Sequence, residues 1–184
     1  MGTAVDGFVY ESAKSTHCEL ESVIDKKALI VFTRYYECSI TQKLLTALTA
    51  AYPAAKTMGC EIKAVVQSDI STLAPVQGRY PFELIADPEA KLFERYNVFE
   101  ADSAVNLIAG DKLFESMAGK DIRKLIGTDL LNLITNTAEP VEGRKPLQLC
   151  AFIGIDKDMR VIYSHYSKTL SDFPDVKEII KAMV

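Results

Sequence analysis

The sequence predicts an α/β fold built on a central mixed sheet with helices on both faces. Three observations carry that expectation. The run Ala28-Leu29-Ile30-Val31-Phe32 is apolar at every position, the composition of a central strand covered on both sides. Strand-like and helix-like segments alternate through the first half of the chain, as parallel βαβ units require. Near the end, the strand-like runs Ala151 to Ile155 and Arg160 to Tyr166 are separated by a short polar turn, which marks an antiparallel hairpin.

In chain order, Phe8-Val9-Tyr10 reads as a short edge strand, and the polar stretch that follows it runs through Cys18. Glu19 to Asp25 can make one or two helical turns with Leu20, Val23 and Ile24 on one side. After the central strand, Ile40, Leu44, Leu45, Leu48 and Ala51 recur at helical spacing from Ser39, with Gly59 as a stop and Pro53 expected to kink or break the helix. Glu61 to Val66 is the next strand, and Ser68-Asp69 offers helix-opening acceptors. Phe82 to Ala86 is a further strand, and Asp87-Pro88-Glu89 signals the start of a helix running to Tyr96. The stretch 97–146 interrupts the alternation and reads as a helical insertion, with helices expected over Lys120 to Ile126 and Asp129 to Thr135. A last helix from Pro174 to Met183 would bury Val176, Ile179 and Ile180, capped by Asp172 or Asp175. This order is that of a thioredoxin-like fold with additions.

The chain has 184 residues, of which 48% are hydrophobic, enough for one domain spanning 1–184 without staples or metals. Its net charge of −4 is dispersed, so neither a nucleic acid nor an anionic membrane is an expected partner. Cys18, Cys38, Cys60 and Cys150 lie far apart with no CxxC, and only His17 and His165 could help to hold a metal. No metal or other cofactor is expected, and no GxGxxG fingerprint is present. The first residues lack the features of a secretion or myristoylation signal, and no apolar run is long enough to span a bilayer. A reducing cytoplasmic setting follows as the expectation, with any disulfide transient.

Cys38 is the chief chemical candidate. It stands where the central strand hands over to a helix, and a thiol there faces unpaired backbone N–H groups that favour thiolate, the nucleophilic form. The plain alternative is a half-buried packing residue. Arg34 is the nearest cation in sequence, although strand alternation could turn it to solvent. Thr41, one turn after Cys38, either offers its hydroxyl to the thiolate or is an ordinary exposed helix residue. Glu37 opposes a thiolate. His17 reads as a surface histidine rather than a base, His165 has no acidic partner in sequence, and Tyr35 and Tyr36 either line a pocket over Cys38 or pack.

Specific blocks carry a resemblance. Phe32 to Thr41 resembles the FxRxxxCxxC start of the active-site helix in peroxiredoxin-like proteins of the AhpC/TSA group. Pro81-Phe82 through Asp87-Pro88, followed by Tyr96-Asn97-Val98, is similar to their PF…DP…YGV block. Leu147 to Ile153 through Tyr163-Ser164-His165 is similar to their LQLGGxFV hairpin. The nearest branch is the one that includes prostamide/prostaglandin F synthases, for which NADPH-linked reduction of an endoperoxide is the weakest of the readings. The resemblance implies thiol chemistry at Cys38 on a peroxide or disulfide, completed by a thiol reductant protein. Three positions depart from it: Val31 and Tyr35 replace the Pro and Thr of PxxxTxxC, Cys150 stands at the assisting Arg, and Thr41 replaces a second cysteine. In this fold the loop entering the hairpin faces the active-site helix, so Cys150 is either the resolving thiol or a core residue, with Cys18 as second choice. Loss of catalysis, leaving a binding or scaffold module, is the competing reading. The oligomeric state is open, a dimer included.

Overall fold

Strand β3 (Lys27–Thr33) lies inside the sheet, and its residues from Ala28 to Thr33 are all buried, which is why its sequence does not alternate. The computed structural model describes residues 2–23, 25–116 and 145–183. Within them β1 (Val9–Ser12), β2 (Ser15–Glu19), β3, β4 (Cys60–Val66), β5 (Glu83–Ala86), β6 (Ala151–Asp156) and β7 (Val161–Tyr166) form a seven-stranded sheet in the order β2-β1-β5-β4-β3-β6-β7. The β3-β4 and β4-β5 pairs are parallel, and the flanking pairs are antiparallel. The mixed α/β sheet expected from the sequence is therefore present.

Both faces are covered. On one, α2 (Ser39–Thr57) and α7 (Val176–Ala182) press Leu44, Leu45, Leu48, Ile179 and Ile180 onto Leu29, Val31 and Phe152. On the other, Leu20 of α1 (Leu20–Val23) and Phe93 of α4 (Lys91–Arg95) join Phe8, Tyr10 and Tyr96 against Ile30, Phe32 and Val65. Each fully buried side chain of this size contributes roughly 1.5–3 kcal/mol. Two such layers hold β3 and the start of α2 rigidly enough to fix what lies between them.

Several boundaries differ from expectation. Pro53 lies inside α2 without ending it: the helix continues to Thr57, where Met58 and Gly59, the latter at φ +66°, close it. Packing of its apolar face outweighs the missing N–H. The helix after Asp87 starts later than Pro88, because Ala90 adopts a left-handed φ of 56° and the Asp87 carboxylate reaches forward to accept the N–H groups of Lys91, Leu92 and Phe93. Asp69 occupies the N-cap position of α3 (Ile70–Leu73) but makes no side-chain cap bond, and Ser68 instead accepts the Tyr36 N–H. The polar stretch to Cys18 holds a second strand, β2, which pairs with β1 at the edge of the sheet. Asp175, rather than Asp172, caps α7 through the N–H groups of Lys177 and Glu178.

Residues 97–116 carry two short helices, α5 (Ala104–Ile108) and α6 (Lys112–Glu115), capped by Ser103 and Asp111. The helices expected over Lys120 to Ile126 and Asp129 to Thr135 lie outside the described residues.

Candidate active site

The chain turns between Thr33 and Ser39, and Cys38 takes the N-cap position of α2 with extended geometry (φ −64°, ψ 125°). Its carbonyl accepts the first helical bond, from Gln42 N–H at 3.0 Å, so the side chain sits at the positive end of a 19-residue helix. Cys38 is only 1% exposed and packs with Tyr35, Ile40, Leu107 and Leu170.

Arg34 is fully buried rather than turned to solvent. Its guanidinium donates from Nη1 to the Gln148 carbonyl at 2.7 Å and from Nη2 to the Pro146 carbonyl at 2.6 Å, and stands 5.5 Å from the centre of the Tyr35 ring. Nε has no partner among the described residues. Burial works against its charge, yet the facing Cys38, Tyr35 and Cys150 side chains more than offset this and hold its pKa above the ordinary value. Arg34 is thus a permanent cation between two thiols.

Cys150 precedes β6 and is buried. Burial, helped by the proximity of Cys38, pushes its thiol up to about 12 against the pull of Arg34. The structure therefore brings Cys38, Arg34 and Cys150 together, with both cysteines as free thiols. Thr41 is buried, not an exposed helix residue, and its hydroxyl has no partner among the described residues.

Other candidates lie elsewhere. Cys18 is on edge strand β2, four strands from β3, or about 19 Å at the usual strand spacing, so the structure does not bring it to Cys38. Burial pushes Cys60 up to about 11, and its Sγ lies 3.5 Å from the Glu61 carbonyl. His165 does have an acidic neighbour, contrary to expectation: its Nε2 lies 3.5 Å from Asp172 Oδ2 and 3.1 Å from the Asp172 carbonyl. Tyr35 packs on Cys38, whereas Tyr36 packs against the α2 face of the sheet.

Two glutamines escaped the sequence reading. Buried Gln148 donates its amide to the Val98 and Phe99 carbonyls while its own carbonyl receives Arg34, so it sets the guanidinium in place. Gln67, at the end of β4, is buried with both ends of its amide unpartnered among the described residues. The polar run Gln67-Ser68-Asp69 after an apolar strand was the available signal.

Among the described residues no group of three or more His, Cys, Asp or Glu could hold a metal ion, and no helix is long and apolar enough to cross a membrane. Solved structures of similar fold include peroxidoxin BcpB from Mycobacterium tuberculosis, with a TM-score of 0.62 and 10% identity over 99% of this chain and 94% of that one. Bacterioferritin comigratory protein from Xanthomonas campestris gives 0.65 and 10% over 98% and 97%. AhpC of Enterococcus faecalis gives 0.65 and 10% over 100% and 89%. No curated protein matches the chain. A family model does match, over residues 1–125, a span that holds Arg34, Cys38 and Thr41 and stops before Cys150. With two thirds of its length matched, including the strand-to-helix turn that carries the thiol, the chain belongs to the AhpC/TSA family.

Proposed function

We propose that the protein is a thiol-dependent peroxidase acting through Cys38. The observation that carries this reading is the placement of a buried, permanently charged Arg34 against a thiol at the N-cap of α2. In the first step the Cys38 thiolate attacks one peroxide oxygen, the O–O bond breaks, and the departing alkoxide takes a proton and leaves as an alcohol. Cys38 is oxidised to a sulfenic acid. Arg34 supports the anion before attack and the charge that develops on the leaving oxygen. The buried Thr41 hydroxyl is a second donor for this site. Cys150 then attacks the sulfenic sulfur, its thiol proton leaves with the sulfenic hydroxyl as water, and a Cys38–Cys150 disulfide forms. Two equivalents of an external thiol return both cysteines to the reduced form.

Peroxide consumption with a thiol reductant, measured for the wild type and Cys38→Ser, tests the assignment. A loss of at least a hundredfold is expected, and an unchanged rate would sink it. Mass spectrometry after one equivalent of peroxide should show a loss of two hydrogens in the wild type, whereas Cys150→Ser should stop at the sulfenic acid.

The burial of Cys38 favours a second reading, a binding module that has lost catalysis. Under that reading stoichiometric peroxide leaves Cys38 reduced, and the same mass measurement separates the two.

A further inference from the structure

Beside the Cys38 cluster, with which it shares Ile40, Leu113 and Phe173, a cavity of about 690 Å³ opens between the outer face of α2, α6 and the segment leading into α7. Leu44, Ala47 and Ala51 form its floor, and Leu113, Phe173 and Val176 its walls. Ala47 and Ala50 are exposed on adjacent turns of α2, and their small size is what leaves the space. Three cations ring the cavity: Lys43, Lys112 and Lys177 line it, all are exposed, and none pairs with a carboxylate among the described residues. Among the described residues Asp175 is the one acidic residue lining it, and its Oδ1 is taken up by the N–H groups of Lys177 and Glu178.

An apolar trough with a cationic rim is complementary to a molecule with one long apolar chain and one anionic end. The trough follows α2 from Ile40 to Ala51, about 16 Å at the helical rise, and its volume is that of a small-molecule site. We propose that this cavity binds a single-chain carboxylate amphiphile, a fatty acid in chemical terms, with the chain along α2 and the head among the three lysines. Cys38 does not line it. The cavity adjoins the Cys38 cluster, but filling it needs no reactive thiol, so this inference does not depend on the peroxidase reading.

Calorimetric titration with decanoate and with 1-decanol tests the assignment. Saturable one-to-one binding of decanoate is expected in the wild type and equally in Cys38→Ser. Ala47→Trp, which fills the trough from an exposed position, should weaken both ligands at least tenfold with the melting temperature unchanged. Ala50→Trp repeats the test if that variant fails to fold. Lys43→Gln combined with Lys177→Gln should weaken decanoate several-fold and leave decanol unaffected, a difference that shrinks at high salt. Absence of saturable decanoate binding, undiminished binding in a folded tryptophan variant, or equal effects of the lysine changes on acid and alcohol would each overturn the proposal.

Discussion

Arg34 has two tasks at once: it faces Cys38 with its charge and holds the Pro146 and Gln148 carbonyls with its hydrogens. Arg34→Gln should therefore lower the peroxide rate at least tenfold and cost about 2–4 kcal/mol of stability, since two hydrogen bonds from a charged donor disappear. Paired kinetic and urea-unfolding measurements separate the effects. Arg34→Lys should recover part of the activity but less of the stability, because one ammonium cannot span both carbonyls in the same plane. The strand-to-helix junction that carries Cys38 was legible in the sequence because it announces itself through hydrophobicity, whereas strand alternation left Arg34 free to face solvent. The partners of Arg34 were not legible, because they are backbone carbonyls, which any residue supplies. Gln148 was invisible for the same reason: its role is to position its own main chain.

At the scale of elements, apolar periodicity gave β3, α2, β4, β6 and α7 close to their observed limits. Polarity hid β2, since Ser15-Thr16-His17-Cys18-Glu19 sits at the sheet edge and buries no face. Local chemistry misled at Pro53 and at Asp87. A proline normally costs an interior helix about 3 kcal/mol, yet α2 continues past it because its leucines are packed beneath. Pro53→Ala should then return the Thr49 carbonyl its helical partner and stabilise the protein by about 1–3 kcal/mol, offset by the greater freedom of the unfolded chain. A rise in the thermal midpoint with no change in peroxide rate is the expected result.

At the scale of the molecule, one buried group ties three strands together. Glu83 of β5 accepts the hydroxyls of Tyr10 at 2.9 Å and Ser12 at 2.6 Å, both from β1, and pairs with Lys63 of β4. Burial raises the Glu83 pKa, but the Lys63, Ser12 and Tyr10 contacts outweigh it and leave the carboxyl below its ordinary value of 4.5. A carboxyl lowered by folding stabilises the folded state above its unfolded value, and the contribution fades as the pH falls through the folded one. Glu83→Gln should cost about 3–5 kcal/mol at neutral pH by stranding buried Lys63. It should also flatten the decline in stability below about pH 4.5. Urea unfolding across pH 3 to 7 checks both. Nothing in the sequence announced this tie, because Tyr10, Ser12, Lys63 and Glu83 meet only once the N-terminal hairpin has docked on β5.

The double duty of Arg34 has an evolutionary consequence. Under the proposed peroxidase role, a descendant that ceased to use the thiol would be free to lose the sulfur at once, but selection for a folded chain would still keep the guanidinium that staples residues 146 and 148. In a collection of close relatives, position 34 should therefore drift more slowly than position 38, and lineages with arginine but no cysteine would mark where the chemistry was abandoned and the architecture retained.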